Sequence, residues 1–269
     1  MNHKQRCEYL EERIKRLNLI GLALSTEDDL DKLFEMIMEE ARHITNADGR
    51  TLYMKSDDGK MMDFKIVRND SLKLVMGGTS GKEIPFYPVK LYMDDGKPNK
   101  TMIAANAGLT GYTINIPDAY KAKGYDFAGT KAFDDKTGYR SKSFLTVPLK
   151  NHEDEIIGVL QLLNAQDIKT KKVIPFSDSV QKSVEALSSQ AAVAITNKNL
   201  IKDLEVLFES FIKLIASAID AKSPYTGGHC SRVPEITMML AESVNEINEG
   251  PFSGIQFTDK EMYELKIAA

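Results

Sequence analysis

The sequence predicts an α+β fold: a central antiparallel sheet flanked by helices, followed by a long helix and a short all-α segment. Three observations carry this. Apolar residues recur at helical spacing up to about residue 46, lie in strand-like runs between 51 and 163, and return to helical spacing from 177. Asp57-Asp58-Gly59 separates two extended runs and the polar stretch Asn151 to Glu155 separates another two, so neighbouring strands fold back on each other. Several strands bracketed by helices give an α+β domain with an antiparallel sheet.

The elements follow in order. Residues 3–23 carry Tyr9, Leu10, Ile14, Leu17 and Ile20 on one helical face. Ser25 and Thr26 are the candidate caps of the next helix, with Asp28 and Asp29 in its first turn. Its apolar stripe runs from Leu30 through Ile44 and ends near Asn46. Strands are predicted at 51–55, 62–67, 114–116, 143–149 and 156–163, with 70–105 rich in glycine and proline and read as loop. No helix breaker occurs from Ser177 until Pro224. Val180, Val184, Leu187, Ala191 and Ala194 make one heptad stripe, and Leu200, Leu204, Leu207, Phe211, Leu214 and Ala218 a second in another register. Two such stripes joined by a slip read as a paired coiled coil; the alternative is a helix that packs on its own domain first and on the next domain afterwards. Helices at 234–246 and 258–269 complete the chain, whose segments are 1–24, 25–176, 177–222 and 223–269.

Composition narrows the function classes. The 269 residues are 42% hydrophobic and 28% charged, with a net charge of 35 − 39 = −4. That balance disfavours a nucleic-acid partner, and no apolar run reaches the roughly 18 residues that cross a bilayer. With no signal-peptide core, the expectation is a cytoplasmic protein with no membrane partner, in which Cys7 and Cys230 are free thiols.

Asn115-Ile116-Pro117-Asp118-Ala119-Tyr120, the run Phe133 to Ser143, Val147-Pro148-Leu149 and Ile157 to Asn164 together resemble a GAF domain, of the type found in cyclic-nucleotide phosphodiesterases and adenylyl cyclases. The resemblance covers residues 25–200. It implies a small-molecule pocket lined by Thr51, Thr110, Asp134, Thr137, Ser141 and Gln161, whose hydroxyls and amide suit the edge of a purine or another polar ring. The alternative is that Asp134 and Thr137 only cap the turn Asp135 to Gly138. Gln161 stands where the family carries a glutamate, and Ser141 where it carries a threonine. Asn164 and Phe176 keep part of a second family signature, but Ala165, Val180 and Gln181 replace its lysine and acids. These departures predict weak or no binding of cyclic AMP and cyclic GMP. The stretch from Met76 to Ala104 has no counterpart in the family and is either a lid or an elaborated loop.

Residues 219–232, Ile-Asp-Ala-Lys-Ser-Pro-Tyr-Thr-Gly-Gly-His-Cys-Ser-Arg, resemble the opening of an HD-GYP phosphohydrolase domain, a family whose metal centre hydrolyses cyclic di-GMP. The resemblance places His229 beside a divalent metal, Fe or Mn, in the complete domain, and Tyr225 where three-metal members carry a glutamate. No His-Asp dipeptide occurs in the 269 residues, so no catalytic residue is assigned and this chain alone is expected to be inactive. The reading is the sensing and dimerising portion of a signalling phosphodiesterase, with a small-molecule ligand in the pocket and a homodimer through the long helix. The rivals are a ligand-free dimerisation module, or a phosphohydrolase active through residues beyond this chain.

Overall fold

A computed structural model describes residues 19–222 and 228–269, and leaves the side chains of 229–231 undescribed. The helix expected at the N-terminus therefore lies outside the described residues up to 18. Two compact units divide the chain after Lys198.

In the first unit, helical backbone covers 19–26. Ser25 and Thr26 donate their hydroxyls back to the carbonyls of Leu22 and Ala23, so they close that segment and do not open the next. The cap of α1 (Leu30–Thr45) is Asp29, whose carboxylate accepts the N–H groups of Asp31 and Lys32 at 2.8 and 3.1 Å. The acid expected in the first turn thus stands one position earlier, where it satisfies first-turn donors that water would otherwise hold. Asn46, left-handed at φ 49°, ends the helix where the sequence placed its end.

The strands are β1 (Ala47–Lys55), β2 (Met61–Asn69), β3 (Leu74–Gly77), β4 (Val89–Lys90), β5 (Ile114–Ile116), β6 (Phe144–Lys150), β7 (Ile156–Gln166) and β8 (Val173–Ile174). All pair antiparallel in the order β3-β2-β1-β7-β6-β5, with β4 on β2 and β8 on β7. Gly158 makes the central contact possible: a Cβ there would lie 2.4 Å from the Tyr53 carbonyl on β1.

Alternation of side chains across the sheet builds two cores. On one face Leu52, Val147, Leu160 and Leu162 pack with Leu33, Phe34 and Ile37 of α1. The long helix α4 (Asp178–Lys222) covers the same face with Val184, Leu187, Ala191 and Ile195. The first of the two heptad stripes is therefore buried in its own domain, as in the alternative reading, and is not free for a coiled-coil partner. On the other face Tyr53, Met62, Phe144 and Val159 pack with Leu91, Ile103 and Phe127.

Two helices that the sequence reading did not assign sit on that second face: α2 (Ile103–Thr110), which begins inside the expected loop 70–105, and α3 (Ala128–Thr137), which ends in the turn from Asp135 to Gly138. Neither shows a stripe of alternating character. The α2 sequence is small and apolar almost all round, and α3 buries only Asp134, so periodicity had nothing to register. The stretch from Met76 to Ala104 is anchored by wholly buried Leu91 and carries a bridge between Tyr92 and Pro98.

The second unit holds the rest of α4 with α5 (His229–Asn245) and α6 (Asp259–Ala268). Helix α5 starts five residues before Pro234, the predicted start, and Pro234 lies inside it. Thr258 and Glu261 close a reciprocal capping box on α6. The Asn245 amide bonds both backbone groups of Phe257, at 2.7 and 3.0 Å, and fixes the connection between α5 and α6. The second heptad stripe lies here, and Leu200, Leu204, Leu207, Phe211 and Leu214 are all exposed.

Candidate functional site

The second face of the sheet is not filled. Between β1, β2, β6 and β7 below and α3 above lies a cavity of about 370 Å³. Its walls are the rings of Tyr53, Phe64, Phe86, Phe133, Tyr139 and Phe144. Tyr53 and Phe64 lie 4.6 Å apart between centroids and Phe64 and Phe86 5.5 Å, so Phe86 of the 76–104 stretch closes over the strand aromatics. The stretch thus acts at once as an anchored loop and as part of the cavity wall.

Strand register brings the polar groups together. Thr51 faces Gln161 across β1 and β7, and Thr146 faces Gln161 across β6 and β7. The Tyr53 hydroxyl donates to Gln161 Oε1 at 3.2 Å, and Gln161 Nε2 donates to Thr146 Oγ1 at 3.2 Å. Each end of the amide keeps further capacity, one N–H and one lone pair, beside the aromatic walls. Burial raises the Tyr53 phenol well above the usual tyrosine value, so it stays a donor. Asn69 also lines the cavity, with its Oδ1 fixed by the Leu72 N–H at 2.9 Å.

Tyr139 and Ser141 bring in the loop after α3. The Tyr139 hydroxyl donates to Asp48 at 2.6 Å; burial first, and this bond second, push its pKa up. Ser141 gives both its N–H and its hydroxyl to Asp134 at 2.8 Å. Asp134 accepts a third bond from Tyr120 at 2.6 Å, and the Arg140 guanidinium lies 4.1 Å over the Tyr120 ring.

Of the six residues expected in the pocket, Thr51, Ser141 and Gln161 line the cavity. Asp134 stands behind Ser141 and orients it. Thr137 is exposed at the C-terminal end of α3; its hydroxyl donates to the Phe133 carbonyl at 2.7 Å and accepts the Tyr139 N–H at 3.3 Å. Thr110 is exposed at the end of α2 and bonds the Asn106 carbonyl at 2.7 Å; strand β5 follows it, as the sequence predicts at 114–116. Neither lines the cavity. Sequence reasoning passed over the aromatic walls and Asn69, although Tyr53 lies two residues beyond Thr51 and so shares its face.

The two charged lining residues are arginines already paired: Arg50 with Asp70 at 2.8 and 3.2 Å, and Arg68 with Glu35 on α1 and with the carbonyls of Met76 and Gly77. No lysine, histidine, aspartate or glutamate is among the lining residues. Among the described residues no three His, Cys, Asp or Glu gather as a metal site, and the side chain of His229 lies outside them, as does Tyr225. No described helix is long and apolar enough to cross a membrane.

Comparison with known proteins agrees with this architecture. The model of the GAF domain family matches residues 29–195. Among curated proteins, the dual 3',5'-cyclic-AMP and -GMP phosphodiesterase 11A of Takifugu rubripes is 34% identical over 99 residues, which are 35% of this chain and 10% of that protein. The chain thus spans about a tenth of that relative's length. Among solved structures, the GAF domain of an Acinetobacter phosphoenolpyruvate-protein phosphotransferase matches with a TM-score of 0.51 at 14% identity, covering 71% of this chain and 98% of that one. The corresponding domain from Coxiella burnetii gives 0.52 at 14%, covering 71% and 96%. At such identity these two speak for the fold alone.

Proposed function

This chain belongs to the GAF domain family, ligand-sensing regulatory domains of signalling proteins, and from that premise we propose that the cavity under α3 is its sensing site. The carrying observation is the Gln161 amide, held between Tyr53 and Thr146 at the edge of an aromatic slot. A flat ring slides between such walls, and an amide with one donor and one acceptor to spare reads a ring edge of matching pattern. The ligand is therefore a small planar molecule with a polar edge, of nucleobase or nucleoside size and without net charge. Cyclic nucleotides would find on the walls only arginines already in ion pairs with Asp70 and Glu35, Arg50 Nε alone being without a partner.

Thermal unfolding against adenine, adenosine, cyclic AMP and cyclic GMP tests this. Binding to the folded state alone adds about 2.7 kcal/mol at a hundredfold excess over Kd. The uncharged purines should raise the melting temperature and the cyclic nucleotides should not. Tighter binding of a cyclic nucleotide would put its anion at the first turn of α3, where Gly129 and Thr130 line the cavity, and would end the uncharged-ligand reading.

A second observation supports a homodimer. Apart from exposed Val206, which lies off this face, large apolar side chains stand exposed on the second half of α4 at 200, 201, 204, 207, 208, 211, 214, 215 and 219. They cover an arc of about 140° at 3.6 residues per turn, wider than a two-stranded seam. A second copy in parallel would cover it. The resemblance of residues 219–232 further supports placing this sensor ahead of an HD-GYP phosphohydrolase that requires a divalent metal, Fe or Mn, in its complete form. The residues present do not make up that metal centre, and no hydrolytic step is assigned to them.

A further inference from the structure

The loop that lines the cavity also holds the root of the long helix. Tyr139 and Ser141 face the cavity. Two residues further on, wholly buried Ser143 donates its hydroxyl to the Ile174 carbonyl in β8 at 2.9 Å. Strand β8 needs that bond, because it has only two pairs with β7, Ala165 with Ile174 and Gln166 with Val173.

Asn164 fastens the loop from beneath. Its Oδ1 accepts the N–H groups of Lys142 and Ser143 at 2.7 and 3.2 Å, and its Nδ2 donates to the Arg140 carbonyl at 2.8 Å. It does so from a left-handed backbone at φ 54°, a conformation that side-chain-bearing residues hold only where the surroundings enforce it. Beyond β8, Asn115 donates to the Phe176 carbonyl at 3.1 Å and to Gln181 Oε1 in the first turn of α4 at 3.0 Å. Its own Oδ1 is buried with no partner, so this end of the clasp is incompletely satisfied and releases at lower cost.

We propose that Ser143 is a positioning residue that couples the cavity loop 139–143 to the docking of 173–181, so that filling the cavity decides how firmly the root of α4 is held. The proposal rests on the cavity being a ligand site. A ligand touching Tyr139 and Ser141 orders the loop, an ordered loop presents Ser143 to Ile174, and β8 then fixes Phe176 and Gln181. Such coupling is reciprocal: a change at the helix root must appear in the loop by the same factor.

That reciprocity gives a test independent of any ligand. Amide hydrogen exchange is compared among the wild type, Ser143→Ala and Gln181→Ala. Gln181→Ala removes the far end of the clasp without touching the cavity, and should speed exchange at 141–143 by about fivefold or more, the low end for coupled sites. Ser143→Ala should do the same at 173–181, with the central amides of β1 and β7 unchanged. If Gln181→Ala leaves 141–143 at wild-type rates, the coupling does not exist, even should Ser143→Ala fail to fold. With adenosine as probe, the wild type should gain protection at 173–181, and Ser143→Ala should bind adenosine without that gain. A wild type that ignores adenosine would count against the ligand reading only, because the comparison without ligand still decides the clasp.

Discussion

Tyr53 and Gln161 meet across the β1–β7 pair, hydroxyl to amide oxygen at 3.2 Å, inside the cavity that the sheet leaves open. The bond fixes which end of the amide faces Thr146 and leaves the other valences for a ligand edge. Gln161→Ala should weaken purine binding by about 1–3 kcal/mol, because ligand and buried phenol both lose a partner. Calorimetric titration reads it; unchanged affinity would remove Gln161 from the site.

The two threonines outside the cavity give a contrast. Thr137→Ala should change binding by less than about 0.5 kcal/mol, as surface substitutions do. Asp134→Ala should abolish or strongly weaken binding, because it frees Ser141 and leaves the Tyr120 hydroxyl without its acceptor. A Thr137→Ala loss equal to that of Asp134→Ala would move the ligand to the solvent side of α3.

Alkaline pH should destabilise the domain through two particular tyrosines. Burial raises the pKa of Tyr53, and burial with the Asp48 bond raises that of Tyr139. The unfolded chain releases these protons from about pH 10 upward, while the folded chain keeps them. The folded state then binds more protons, so unfolding free energy falls as pH climbs past about 10. Phenolate absorbance should show both groups titrating after the exposed tyrosines, and Tyr139→Phe should flatten the decline.

Exposed Leu204 and Leu207 test assembly. Changing both to Glu should give monomers in sedimentation with an unaltered melting transition of the first unit, whose core contains neither residue. A dimer that survives would place the interface elsewhere.

Most of the sheet was legible because its strands are short extended apolar runs, buried on both faces at β1 and β6, and its turns carry Gly, Asn and Asp at the required places. The end of α1 was legible from Asn46, whereas its start was placed too early, at Ser25 and Thr26, ahead of the actual cap Asp29. Helices α2 and α3 were not legible, since their contacts come from small residues and from one buried aspartate. Within the site, Thr51, Ser141 and Gln161 followed from resemblance alone. Phe86 reaches the cavity from a stretch that the family pattern lacks, and only the closed fold brings it onto Phe64. The first heptad stripe misled because helix-on-sheet packing and coiled-coil packing ask for the same spacing.

The tilted ring contacts of Tyr53, Phe64 and Phe86 also have a spectroscopic consequence. The chain contains no tryptophan, so the cavity wall is dark to excitation near the red edge of protein absorbance. An indole in place of Phe86 would be the sole emitter, at the point where an occupant must displace water, and its colour would report filling of the cavity directly.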